Sequence, residues 1–250
     1  MSTTPAQQPD YIGFIRRYLD CPCRYFAPMA DDEPLMAAYR AARERGEREG
    51  FVPMIVVPSV TLAEALTDCE DFDLEEVQAG RQALLAAPLR EGNAAVRELM
   101  ETWKAEAEEY GLSWGEIGEI AGGEALDRFL GYWDYSSKKT EPLLLAEIPV
   151  RHPWEVFAYL PFGGWNECPD APVQMEMAKY WFERYAAVPA VVTSDVLEYI
   201  LPAPVKEEDA AALALEQYAF CADIVDQGVG TLGALADGLR QSTTWYFWWD

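Results

Sequence analysis

Apolar positions along this chain follow two rhythms, and the change from one to the other outlines the elements. Tyr11 to Tyr18 is a short amphipathic stretch that ends at Cys21-Pro22-Cys23. Asp31-Asp32-Glu33-Pro34 reads as a helix start, because acids suit the positive helix end and proline fits the first turn. Leu35, Met36, Tyr39 and Ala42 then recur at helical spacing, with Arg40, Arg43, Glu44, Arg45 and Glu47 on the outer face and Gly50 as the stop. Phe51–Val57 is an apolar run that predicts a buried strand, and Thr61 with Glu64 predicts a capping box for a helix through Leu66.

From Asp68 the texture is helical. Asn93 is placed to cap Ala94–Tyr110, Gly111 to stop it, and Ser113 with Glu116 to open another helix. The reading is three to five short helices, followed by the polar linker Ser136–Thr140. From Leu143 the pattern turns strand-like: Leu143–Ile148, Val156–Leu160, and the pair Val188–Thr193 and Val196–Leu201. Helices are expected over Ala171–Tyr185, Lys206–Phe220 and Thr231–Arg240, and Thr244–Trp249 predicts a last strand.

Interleaved helices and strands predict a mixed α/β (α+β) fold, one mixed sheet flanked by helices with a helical insertion. The expected organisation is a disordered lead over residues 1–10, an N-terminal part of the α/β domain over 11–67, a helical insertion over 68–140, and a C-terminal domain over 141–250 that completes the sheet.

Charge narrows the function more than composition does. The net charge is −24 over 250 residues, and the acidity is spread along the chain. A surface this acidic repels nucleic acid and anionic lipid and suits a basic protein partner. No apolar run reaches the ~20 residues of a membrane span. The first ten residues lack a basic and an apolar region, so a cytoplasmic location is expected. The five cysteines fit reduced thiols.

The chemistry is sparse. His152 is the single histidine, so a multi-histidine metal site is excluded and any histidine-assisted nucleophile must use it. Cys21-Pro22-Cys23 could start a zinc site with Cys69, Cys168 or Cys221, but the one-residue gap departs from paired zinc knuckles, so buried thiols are expected. No metal and no cofactor is predicted. The loop Gly163-Gly164-Trp165-Asn166 lies between a strand and a helix, a place where α/β proteins bind ligands. The reading these residues favour is a tight turn with Trp165 plugging the core, Asn166 bonding the backbone and Asp170 capping the next helix. Asp195, Glu216, Asp223, Asp226, Gln227 and Asp250 join that loop as candidate ligand or partner contacts, provided they converge, with Asp223, Asp226 and Gln227 expected in a loop after the Lys206–Phe220 helix.

The chain closes on Trp245-Tyr246-Phe247-Trp248-Trp249-Asp250. Alternation puts Trp245, Phe247 and Trp249 on one face and Tyr246 and Trp248 on the other, so a strand covered on both sides, central in the sheet, is expected in preference to the competing reading, an edge strand offered to a partner.

Several pieces of the C-terminal stretch occur together: Phe162–Pro169, Tyr180–Tyr185, Thr193-Ser194-Asp195, Glu216–Cys221, Asp226-Gln227-Gly228 and the aromatic ending. With these, residues from about 149 to 250 resemble a bacterial domain-of-unknown-function family that carries this ending. The resemblance implies a mixed α/β fold and carries over no catalytic residue. Two functional readings stand at this point. One is a non-enzymatic interaction module, of the immunity-like or regulatory kind, that neutralises a basic partner. The other is a small-molecule-binding domain or hydrolase-type enzyme using the Gly163–Asp170 loop and nearby carboxylates.

Overall fold

The computed structural model of the protein describes residues 10–67, 72–111 and 113–250. The expected lead at 1–10 therefore lies outside it except for Asp10, and Cys69 lies outside it too. The N-terminal helix α1 (Tyr11–Leu19) is capped by the Asp10 carboxylate, which accepts from the Gly13 N–H. Helix α2 (Glu33–Glu49) starts and stops where the sequence places it, with Gly50 closing it in the left-handed conformation.

Six strands form one mixed sheet: β1 (Cys23–Phe26), β2 (Val52–Val56), β5 (Leu143–Ile148), β6 (Val188–Val192), β7 (Val196–Ile200) and β8 (Thr244–Trp248), in the order β1-β5-β2-β6-β7-β8. Only β2 and β6 run parallel; the other neighbours are antiparallel. A separate ribbon pairs β3 (Trp133–Asp134) with β4 (Lys139–Thr140). The fold is thus the expected mixed sheet flanked by helices.

The two sheet faces bury different cores. On one, Met54, Val56, Leu144, Ala146, Leu197, Tyr199, Trp245 and Phe247 meet α1, α3 (Val60–Leu66), α6 (Ala171–Tyr185), α7 (Glu207–Phe220) and α8 (Leu232–Leu239). On the other, Ile55, Leu143, Leu145 and Val191 meet α2 through Leu35, Tyr39 and Ala42, together with Phe129 and Tyr132. Trp181 of α6 stands at the centre of the first core. Its ring stacks on Phe247 at 5.5 Å and meets Tyr199, Phe220 and Trp245 edge-on at 5.0–5.7 Å. Such pairs add about 0.5–1.5 kcal/mol each beyond burial.

Five sequence expectations need correction. Val156–Leu160 is not a strand: Pro153–Ala158 is a 3₁₀ helix, and Glu155 reaches back to accept from the Arg151 and His152 N–H groups at 3.0 and 2.9 Å. That local cap outweighs the β preference of the Val-Phe pair. Helix α3 is capped by Ser59, whose Oγ accepts from Leu62 N at 3.0 Å, so Thr61 and Glu64 lie inside it.

Within the region expected to hold three to five helices, the described residues contain two, α4 (Leu74–Ala86) and α5 (Ala94–Glu109). Ser113 and Glu116 start no helix. Residues 113–132 run as extended chain and turns across α7 and α8, with Gly115, Gly118 and Gly122 at positive φ. Gly233 is what lets the backbones touch, since a Cβ there would sit 1.9 Å from the Glu119 carbonyl oxygen. Asp226 and Gln227 do not lie in a loop but in a single π-helical turn, Ile224–Val229.

The last correction concerns β8, which is an edge strand and not a central one. The alternation itself holds. Trp245, Phe247 and Trp249 are buried, while Tyr246 and Trp248 on the opposite face are half-buried.

Replacing Trp181 by alanine is expected to cost about 3–5 kcal/mol, because the vacated volume is walled by rigid rings that cannot collapse into it. Deleting Trp245–Asp250 is expected to leave no cooperative unfolding transition. Urea unfolding followed by near-ultraviolet circular dichroism checks both, and a truncate that still melts cooperatively would show β8 to be dispensable.

Candidate functional site

At the end of the sheet where β8 finishes, the loop after the 3₁₀ helix, the β6–β7 turn and the π-helical turn meet. Thr193 and Ser194 hydroxyls donate to Asp195 Oδ1 at 2.9 and 3.0 Å, and Trp248 Nε1 donates to Asp195 Oδ2 at 3.2 Å. The Trp249 N–H donates to the Asp195 carbonyl at 3.1 Å. Asn166 Nδ2 donates to the Asp250 carbonyl, the Asp250 N–H to Asp223 Oδ2 at 3.0 Å, and Gln227 Nε2 to Asp223 Oδ1 at 2.7 Å. Tyr218 Oη donates to Asp226 at 3.2 Å.

Of the residues proposed from sequence, Asn166, Asp195, Asp226, Gln227 and Asp250 therefore gather in one corner. Glu216 does not belong with them. It is buried under α6, where it accepts from Tyr180 Oη at 2.8 Å and Trp181 Nε1 at 3.3 Å, and burial raises its pKa. Its role is to satisfy two buried aromatic donors.

Gly163-Gly164-Trp165-Asn166 forms a clasp with little room beside it. Gly163 has φ +90°, and a Cβ there would lie 1.8 Å from the Pro169 carbonyl oxygen. The Gly164 N–H donates to the Cys168 carbonyl and the Cys168 N–H to that of Trp165, both at 3.0 Å. Trp165 is half-buried with its ring edge-on to Phe162, and the adjoining cavity is about 10 Å³, a single water's worth. The tight-turn reading of this loop fits the geometry, with Asp170 accepting from Val173 N at 3.2 Å to cap α6.

The usable space lies around the corner, on the outer edge of β8. The Leu201 N–H bonds the Thr243 carbonyl and the Trp249 N–H bonds that of Asp195. By antiparallel alternation, the main-chain groups of Thr244, Tyr246 and Trp248 point away from β7. Leu126 covers one end of this edge, its carbonyl accepting from Thr244 N at 3.0 Å, and Cys221 covers the other, its Sγ bonding the Trp248 carbonyl at 3.0 Å. Between them a cavity of about 230 Å³ opens, walled by Leu126, Leu130, Ile224, Val229, Leu235 and Tyr246. Two buried donors, Gln217 Nε2 and Trp245 Nε1, belong to residues of its lining and have no partner among the described residues.

The rim is acidic, with Glu124 and Asp223 lining the opening. Glu167 stands near Asp223, Asp226 and Glu106, and its pKa is raised by partial burial and then by those three charges. Among the described residues no group of three or more His, Cys, Asp and Glu side chains is arranged to hold a metal ion. Cys21 and Cys23 face each other at 4.0 Å, while Cys168 and Cys221 are buried elsewhere. His152 is exposed and stacked on Trp154 at 4.5 Å.

Sequence reasoning missed two contributors, Glu124 and Glu198. Asp223, one of the carboxylates selected from the sequence, is the hub of the corner. Glu124 depends on the long wrap of residues 113–132. Glu198 did carry a signal, being an acid in the middle of the otherwise apolar Val196–Ile200. It is wholly buried opposite Tyr246, its two oxygens accepting from the Leu130 and Gly131 N–H groups at 2.8 and 3.1 Å. Burial pushes its pKa up to about 7, although those two donors pull it down.

Residues 144–250 match the family model described as a domain of unknown function, DUF4253, which spans β5 to the end of β8 and hence the corner and most of the cavity wall. Neither the curated proteins nor the solved structures include a match to the chain.

Glu198 gives a pH prediction with a definite sign. A carboxyl whose folded pKa is about 7 and whose unfolded value is 4.5 binds its proton more tightly in the native state. The stability it contributes is complete below pH 4.5 and is lost as pH rises through 7, on the order of 3 kcal/mol in all. Glu198→Gln lacks this titration. The stability of the variant relative to the parent should therefore climb across that window in urea melts, and a flat difference would contradict the assignment.

Proposed function

We propose that the protein is a non-enzymatic, cytoplasmic interaction module that docks a basic, extended segment of a protein partner along the outer edge of β8. The carrying observation is the uncovered middle of that edge, where the Tyr246 main chain adjoins an apolar cavity with an acidic rim. Edge strands recruit extended chains through main-chain hydrogen bonds, and pockets beside them select alternate side chains. The cavity, about 230 Å³, exceeds the ~150 Å³ that accepts benzene but falls short of the ~300 Å³ at which ligand pockets usually begin. It suits one bulky apolar side chain.

Charge supports a cationic neighbour for that side chain. Glu124 and Asp223 line the opening, Asp250 is bonded to Asp223, and Glu167 stands near Asp223 and Asp226, in a chain of net charge −24. Lysine or arginine at alternate positions of the incoming strand would meet them, speed encounter and reject acidic competitors. The alternative of a small-molecule enzyme loses its main support with the closed clasp at Gly163–Asp170.

The test uses synthetic decapeptides alternating lysine with phenylalanine, titrated into the full chain with tryptophan fluorescence as readout. Binding is expected at low salt, falling steeply as ionic strength rises. Val229→Lys, at an exposed rim position, should reduce it at least tenfold without altering the unfolding midpoint. A glutamate–phenylalanine peptide that binds as well, or a Val229→Lys variant that binds unchanged, would overturn the proposal.

A further inference from the structure

At the opposite end of the sheet, where β2 and β6 begin and β7 ends, the surface has the reverse character. A groove of about 610 Å³ runs between the last two turns of α2, the start of β2 and the end of α6. Arg43, Arg48 and Arg151 line it, and among the described residues none of the three has an ion-pair partner within 4.0 Å. The acids at the same groove are Glu47 and Glu49, and Glu49 is taken by Arg45 at 3.2 Å. Three unpaired guanidinium groups against one free carboxylate make a locally positive site on a chain of net charge −24.

A second observation comes from a residue of the same lining. The hydroxyl of Tyr39 belongs to a wholly buried residue that lines the groove, and it has no hydrogen-bond partner among the described residues. Leaving such a group unpaired costs about 1–3 kcal/mol unless something supplies an acceptor. Burial pushes its pKa up to about 12, the nearby Arg43 drawing it partly back, so at neutral pH it is a proton donor. Phe51, Phe182, Pro53, Pro153 and Pro202 supply apolar walls. The volume falls within the roughly 300–1,000 Å³ of small-molecule sites.

We infer that this groove binds a small amphipathic organic anion, whose carboxylate or phosphate meets Arg43, Arg48 and Arg151 while its apolar body lies on Phe51 and Phe182. Tyr39 Oη donates to the ligand from the floor. Guanidinium groups match both acid heads, as pairs of parallel N–H donors. A free molecule is the occupant, and not an anionic bilayer, because the field of the whole chain repels an extended negative surface while a small ligand responds to the local guanidinium groups. The site is independent of the β8 edge, so either can fail without the other.

The experiment is calorimetric titration of the full chain with 1-naphthyl phosphate, 1-naphthoate and neutral 1-naphthol. One site is expected for at least one of the two anions, with 1-naphthol binding at least tenfold more weakly. Arg48→Gln with Arg151→Gln, both at exposed positions, should weaken the anion at least tenfold at an unchanged unfolding midpoint. Tyr39→Phe, which keeps the ring in place, should weaken it less. Val229→Lys at the other end should leave it unaltered. Failure of both anions to bind at millimolar concentration, equal binding of 1-naphthol, or indifference to the arginine substitutions would overturn the inference.

Discussion

The contact between Trp181 and the aromatic face of β8 is the interaction on which the rest of the structure depends. A strand at a sheet edge has only one neighbour, so one ordinary reason for staying folded is missing. What replaces it is ring packing. Trp245, Phe247 and Trp249 lie against Trp181, Tyr199, Phe220 and Phe162, which ties α6, α7 and two strands into one rigid block. At the corner Asn166 donates to the Asp250 carbonyl and the Asp250 N–H donates to Asp223, which fixes the residues that follow β8. The middle of the outer edge of β8 can stay uncovered because its inner face is so firmly held.

Much of this was legible in the sequence wherever a local rule decided the outcome. Helices α2 and α6, the β6–β7 hairpin and the alternation of the last strand follow from periodicity, proline placement and capping residues. What escaped was decided by distant partners. The position of β8 at the edge depends on sheet order, which no stretch of six residues encodes. The path of residues 113–132 depends on glycine contacts with α8 and on the Glu198 carboxylate, which lies about seventy residues away in the chain. The four-residue strand β1 is too short and too polar at Arg24 to stand out, and it exists because β5 offers it an edge.

The candidate site divides along the same line. Asn166, Asp195, Asp226, Gln227 and Asp250 were selectable as polar residues in turns, and the fold does bring them together. Glu216 was selectable on the same grounds and went elsewhere, because a carboxylate on a helix can as easily serve the helix beside it. The cavity at β8 and the arginine groove at the other end could not be read in advance, since each is the space left between elements that are far apart in sequence. The resulting arrangement is polar: acids crowd one end of the sheet and unpaired guanidinium groups line the other.

An open strand edge rich in tryptophan, tyrosine and phenylalanine is also the surface through which two copies of a chain could zip together. In this protein the acids around β8 serve as the guard. A second copy would bring Asp223, Asp226 and Asp250 against their own counterparts, and like charges so juxtaposed repel. The same carboxylates that would select a basic guest thus keep the chain from becoming its own guest. That guard is a matter of charge, and salt weakens it: as ionic strength rises the sticky edge remains and the repulsion is screened.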